Sequence, residues 1–414
     1  MQPTAKEAND ITVPPGSIVL HIGPHKTGTT ALQIAMGKNR EAMLEQGVRY
    51  VWGGEHLNAN LAALAVARRP SRRFSGARPV PIQHWTELIE KIRASSPSQR
   101  TVISGEEFCS AKEIDITRII RELGKDRLRV LITLRPLEKV IASQWQQYVQ
   151  AGSVTMSLDE WLRGVFDNNH NVEKVQDFWE RHRHDLLVHR WAQQIGNDRI
   201  TILVLDENDR EYLYRKAEAL FGLRQGTLIA HERLINRSMT MQEAESVRAF
   251  YSRLNEEGFS ELSNHIRFMI SPAEVIKRER VPSRRESKII LPEWALQASR
   301  ALSEMMVQSI QQEQVRIVGK ISGLTPSEAA PSIALDSAKE MDYRQYVPVD
   351  LAGWTAFGVV VRSGLAKGSL PPVGDSSLPP SWLRRASGAD LLREVFRRLK
   401  NRVLKLFRTD SDSV

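Results

Sequence analysis

The chain has 414 residues, 41% of them hydrophobic and 26% charged, which excludes wholesale disorder and leaves room for one large domain plus an extension. Its longest apolar runs, such as Val130 to Leu134 and Phe357 to Val361, are far shorter than the roughly 20 residues a membrane-spanning helix needs. The single cysteine, Cys109, excludes an intrachain disulfide and a cysteine-rich zinc module, and the start lacks the basic-then-apolar order of a secretory signal, so the chain reads as cytoplasmic.

The formal charge of +9 is unevenly placed. Between Ser381 and Arg408 nine basic residues face two acids, Asp390 and Glu394, so this stretch holds +7 and the rest of the chain about +2. A nearly neutral body argues against a general nucleic-acid binder, whose Lys and Arg would be spread over the folded domain among aromatics.

In chain order, residues 1–15 read as a loose polar tail. Ser17 to Ile22 (SIVLHI) reads as a strand, Gly23 to Gly28 as a turn-rich loop and Thr29 onward as a helix. Three further apolar runs, Thr101 to Ser104, Leu128 to Leu134 and Arg199 to Leu205, are separated by helical stretches. Such alternation predicts an α/β domain, doubly wound on a mainly parallel sheet with helices on both faces. From Asp209 to about Ile321 the pattern is mostly helical. Pro, Ser and Gly then thicken, giving an expected division into an α/β domain over 16–323, an extension over 324–380, a helix over 381–408 and a tail over 409–414. Gly353 to Val361 reads as a strand within the extension. From Leu392 to Phe407 apolar residues recur every three or four positions with basic residues between them, an amphipathic helix suited to an anionic membrane surface or to docking on protein.

The segment GPHKTGTT, Gly23 to Thr30, lies where an α/β sheet delivers a helix N-terminus, whose free amides and positive dipole end suit a phosphate. His25, Lys26, Thr27, Gly28, Thr29 and Thr30 read as an anion cradle: glycine for close approach, Lys26 as a point charge, threonines as hydroxyl donors. Compared with the triphosphate pattern GxxxxGK[ST], the lysine has moved from position 29, which is Thr29, into the loop. His21, inside the strand, reads as a core histidine. After the strand Leu128 to Leu134, Arg135 offers a planar fork for phosphate oxygens, and Ser143, two helical turns on, can return toward the same site.

The loop HIGPHKTGTTALQ resembles the 5′-phosphosulfate loop of bacterial sulfotransferases, which use 3′-phosphoadenosine 5′-phosphosulfate as donor, and Arg135 with Ser143 matches the spacing with which that family holds the donor's 3′-phosphate. The resemblance implies a P-loop-like fold, transfer of a sulfuryl group to a hydroxyl of a carbohydrate or other small metabolite, and no metal. It makes Lys26 the stabiliser of the leaving phosphate and Glu106, just after a strand in a Ser-Glu-like signature interrupted by Gly105, the base. Glu107 and His56 stand as alternatives for the base, and His25 could instead contact the leaving phosphate. The motifs cover about Ile18 to Asp206; the glycine-rich C-terminal donor loop of eukaryotic members is absent, and the basic run Lys277 to Lys288 reads as a donor wall or a solvated loop. Two other classes stay open: a P-loop kinase-like enzyme, and a non-catalytic nucleotide-binding protein that recruits a membrane or protein partner through its C-terminal helix. The acceptor and the oligomeric state are not written in the sequence.

Overall fold

The computed structural model describes residues 11–53, 57–71, 78–167, 172–209, 211–229, 237–259, 270–327 and 349–362. They form two compact units. One comprises Met1–Gln144, Gly164–Ile235 and Glu293–Pro331, the other Trp145–Arg163, Asn236–Pro292 and Ser332–Val414, so the span 16–323 expected as one domain divides between them. The basic helix expected at 381–408 and most of the extension lie outside the described residues.

The first unit is built on β1 (Ile18–Ile22), β2 (Val48–Val51), β3 (Arg100–Ser104), β4 (Leu128–Leu134), β5 (Ile200–Val204) and β6 (Arg316–Val318). All neighbours pair parallel, in the order β2-β3-β1-β4-β5-β6. Every residue of β1 is buried, as expected of a strand covered on both faces. Ile18, Leu20 and Ile22 face one core with the helices Asn60–Val66, Gln83–Arg93, Glu113–Leu123 and His184–Ile195. Val19 points the other way, into a core with Thr29–Lys38 and Tyr212–Phe221. The mainly parallel α/β fold is therefore as the sequence indicates.

Two strands escaped the sequence reading. β2 (VRYV) is only four residues long and follows a charged helical turn, Arg40–Leu44, while β6 has three residues and completes the β5 edge. Strands this short give period-two patterns too brief to stand out.

In the second unit Met241–Leu254 starts with a reciprocal cap: the Thr240 hydroxyl accepts from the Glu243 amide and Glu243 accepts from the Thr240 amide. Arg280, 2% exposed, pairs with Glu243, Glu286 and Asp350, so part of the basic run Lys277 to Lys288 is a buried ionic tie, neither donor wall nor solvated loop. The segment expected as a strand at Gly353 to Val361 is instead part of a helix, Val349–Arg362. Its buried Leu351, Trp354, Thr355, Gly358 and Val359 follow helical spacing. The Asp350 to Arg280 pair anchors the first turn, and the β-branched Val359 to Val361 yields its strand preference to this packing.

Candidate active site

The helix after β1 lies on one face of the sheet and the segment after β3 on the other, and it is at the strand ends where the chain diverges in this way that doubly wound sheets bind ligands. The loop Gly23 to Gly28 follows the C-terminal end of β1. Two positions in it require their conformations. A Cβ on Gly23 would stand 2.2 Å from Thr29 Oγ1 and 2.6 Å from Thr133 Oγ1, and Gly28, at φ 81°, caps the helix in the left-handed region. Lys26 also adopts a left-handed φ of 70°, which costs a non-glycine residue on the order of 1 kcal/mol.

Beneath the loop runs a buried hydrogen-bond chain whose direction is fixed at both ends. Gln33 Nε2 donates to Ser104 Oγ at 3.1 Å, and Thr27 Oγ1 donates to the Pro24 carbonyl at 2.7 Å. Thr27 Oγ1 therefore accepts from Thr133 Oγ1 (3.1 Å), Thr133 Oγ1 accepts from His21 Nε2 (3.1 Å), and Ser104 Oγ donates to His21 Nδ1 (2.8 Å). His21 is thus a neutral Nε2–H tautomer, consistent with burial that lowers its pKa to about 3. It is the core histidine the sequence suggests, and it ties β1, β3 and β4 together under the cradle.

The same bonds turn two expected ligand groups inward. Thr27 and Thr29 are buried and their hydroxyls are used within the loop, Thr29 Oγ1 donating to the Gly23 carbonyl at 3.3 Å. Of the three threonines only Thr30 is exposed, while the first amides of the helix Thr29–Lys38 have no carbonyl one turn earlier within it.

On the β3 side, Glu106 and Glu107 begin a 3-10 turn, Glu106–Ser110. His25 stands between them, its Nδ1 3.8 Å from Glu106 Oε1 and its Nε2 3.6 Å from Glu107 Oε1, contacts that are electrostatic and longer than hydrogen bonds. The ring is buried, with its two nitrogens toward the two carboxylates. Asn60 Nδ2 donates to Glu106 Oε1 at 3.3 Å, and its Oδ1 accepts from the Glu107 amide at 3.4 Å. Burial would raise the Glu107 pKa, but His25 beside it, with Arg181 and Arg69 farther off, outweighs that and holds it at about 2. Glu107 is a fixed anion and a poor base. His56 lies outside the described residues.

On the β4 and β5 side, Arg135 follows the last residue of β4. Its Nε and Nη2 donate to Glu207 Oε1 and Oε2 at 2.6 and 2.7 Å, and Nη1 reaches the Lys26 carbonyl at 3.5 Å. Ser143 is half-buried about two turns into the helix Leu137–Gln150. Beside the pair a cavity of about 910 Å³ opens at the ends of β4 and β5, lined by Pro136, Lys139, Glu207, Tyr212, Arg300 and Lys320 among others. Among the described residues no group of three or more His, Cys, Asp or Glu is arranged to hold a metal ion, and no helix is long and apolar enough to cross a membrane.

No protein-family model matches the chain, and no curated protein matches it. Among solved structures, the crystal structure of a sulfotransferase from Alicyclobacillus acidocaldarius is similar over 62% of this chain and 95% of that one, with 14% sequence identity and a TM-score of 0.38.

The sequence reading missed Asn60 and Glu207. Asn60 stands close in the chain to His56, but nothing in the sequence ties it to residues 46 or 47 positions away. Glu207 is 72 positions from Arg135 and meets it only because Leu134 and Val204 are register partners in the parallel pair β4 and β5.

Proposed function

We infer that this chain is a sulfotransferase that moves a sulfuryl group from 3′-phosphoadenosine 5′-phosphosulfate to a hydroxyl of a carbohydrate or other small metabolite. The observation that carries this reading is the arrangement around one loop: Lys26 lies in the loop that leads into the helix Thr29–Lys38, Arg135 is tied to the Lys26 carbonyl on one flank, and Glu106 faces His25 on the other. The residues suit a donor with phosphate at both ends. Gly23 and Gly28 keep clear a loop that side chains would crowd, Arg135 supplies a fork for the 3′-phosphate with Ser143 as its partner, and the adjoining cavity has room for a nucleoside.

In the reaction, the acceptor oxygen forms its bond to sulfur as the bond from sulfur to the 5′-phosphate oxygen breaks. The acceptor's proton goes to Glu106. Negative charge growing on the departing phosphate is met by Lys26 and the loop amides, which are fixed before the reaction begins. Between the two glutamates, Glu106 is assigned the base's role because it is the more exposed, 25% against 18%, while His25 favours the ionised form of Glu107. Asn60 and His25 hold the Glu106 carboxyl from two directions.

Calorimetry with 3′-phosphoadenosine 5′-phosphate, its analogue lacking the 3′-phosphate, and ATP with magnesium tests this reading. The first should bind tightest. Preference for ATP with magnesium would replace the sulfotransferase reading with a kinase-like one, and binding without transfer to any acceptor in a broad panel would leave a nucleotide-binding protein.

A further inference from the structure

We propose that Glu207 is a positioning residue that presents Arg135 to a phosphate and thereby sets the selectivity of the nucleotide site. This rests on the donor-binding reading above. Arg135 and Glu207 meet in a bidentate, side-on arrangement that uses the Nε and one Nη2 hydrogen. The Lys26 carbonyl takes one Nη1 hydrogen from the same guanidinium. A guanidinium has five N–H groups. Two therefore remain, one on Nη1 and one on Nη2, and these are the donors that Glu207 leaves to a phosphate.

Physical alternatives for the pair can be weighed. As a stabilising salt bridge it is poorly placed, because Arg135 and Glu207 are 29% and 30% exposed and such pairs add little to folding. As an inhibitory contact, Glu207 would have to occupy the edge that the phosphate uses, but it grips the side of the guanidinium and leaves the end. Its negative charge does oppose an incoming phosphate, yet both are solvent-screened at this exposure. Against that repulsion stands the fixing of a long side chain that would otherwise sample many rotamers, so that less freedom is lost when the phosphate binds. Glu207 thus holds the fork, and the carbonyl of Lys26 links its position to the loop that takes the other end of the donor.

The test measures affinities of the full chain for 3′-phosphoadenosine 5′-phosphate and for the analogue lacking the 3′-phosphate, in the native protein, Glu207→Ala, Glu207→Gln and Glu207→Asp. The expected result is about a 3- to 20-fold loss for the 3′-phosphorylated ligand in Glu207→Ala, within twofold no change for the analogue, and partial recovery of the ratio in Glu207→Asp. A variant that folds poorly lowers both affinities and leaves their ratio unchanged, so the ratio is the deciding quantity, and Glu207→Gln supplies it if Glu207→Ala is unstable. Tighter binding of the phosphorylated ligand in Glu207→Ala would make Glu207 a competitor and overturn the proposal, as would an unchanged ratio in all three variants. A native protein that does not distinguish the two ligands removes the Arg135 reading itself, and this outcome is separable because it needs no variant.

Discussion

The two flanks of the Gly23 to Gly28 loop are built from opposite materials. On the β3 flank the loop's His25 is buried between Glu106 and Glu107, over a floor of neutral hydroxyls and the neutral His21. On the β4 and β5 flank, a part-exposed guanidinium is steered by one carboxylate beside a roomy cavity. The two flanks differ little in openness, Glu106 and Glu107 being 25% and 18% exposed against 29% and 30% for Arg135 and Glu207, so the difference lies in the groups themselves: two carboxylates about one imidazole on the first flank, one carboxylate gripping a guanidinium on the second.

The largest expected effect falls on the β3 flank. Glu106→Gln should leave donor affinity unchanged and slow transfer by about 10²- to 10⁴-fold, because it keeps shape but cannot accept the proton. Glu107→Gln, which removes a fixed anion and no base, should cost clearly less in single-turnover transfer. If instead Glu107→Gln is the more damaging of the two, the roles of the glutamates are exchanged. Lys26→Ala, at the centre of both flanks, should lower donor affinity and also slow transfer by about 10²- to 10³-fold.

The β4 and β5 flank should respond in binding. Arg135→Ala should weaken the 3′-phosphorylated nucleotide by about ten- to a hundredfold, the scale of one charge-assisted contact, and hardly affect the analogue lacking that phosphate. Titrations at two salt concentrations sharpen the contrast, since the exposed contact should fade with salt while the effect of Glu106→Gln on transfer should not. Equal weakening of both nucleotides would take Arg135 out of the 3′-phosphate role.

A separate effect concerns stability, and it reads the buried side through protons. Burial lowers the pKa of His21 to about 3, that of His184 to about 4 and that of His182 well below its ordinary 6.5, with His184, His25 and Arg181 adding to the effect at His182. These groups stay neutral when folded but take up protons when unfolded below about pH 6.5. Stability should therefore fall as pH drops from 6.5 toward 4, by roughly 1 to 1.5 kcal/mol per pH unit for each histidine. Glu107 acts later: its contribution is complete above about pH 4.5 and is lost only as pH falls toward 2. Urea melts between pH 7.5 and 5 check this, and His21→Asn should flatten the slope by about a third, one of three similar groups. A flat profile would show that the three rings are not held neutral.

Much of this site is written locally. Ser17 to Ile22, the glycine-threonine loop and the following helix are contiguous, so strand propensity, turn chemistry and helical period announce them together, and Leu128 to Leu134 ends in Arg135 as directly. Short range also misled. Three consecutive valines, Val359 to Val361, suggest a strand, but the spacing of Leu351, Trp354, Thr355, Gly358 and Val359 and the Arg280 anchor make a helix.

What the sequence by itself determined is the set of parts: a parallel α/β sheet, a glycine-threonine loop carrying Lys26, an arginine at a strand end and a pair of glutamates at another. Only the tertiary structure decided their partners. The order β3-β1-β4-β5 puts Glu106 on one side of the loop and Arg135 on the other; parallel register brings Glu207 to Arg135, and the bond from the Ala59 amide to the Ser104 carbonyl sets Asn60 beside Glu106. It also spends the hydroxyls of Thr27 and Thr29 inside the loop and leaves Thr30 outside. The physical reason is range. Propensity and periodicity act over a few residues, whereas strand pairing and burial join residues far apart in the chain, and it is those distant neighbours that fix which charge is held, which is exposed and which proton can move.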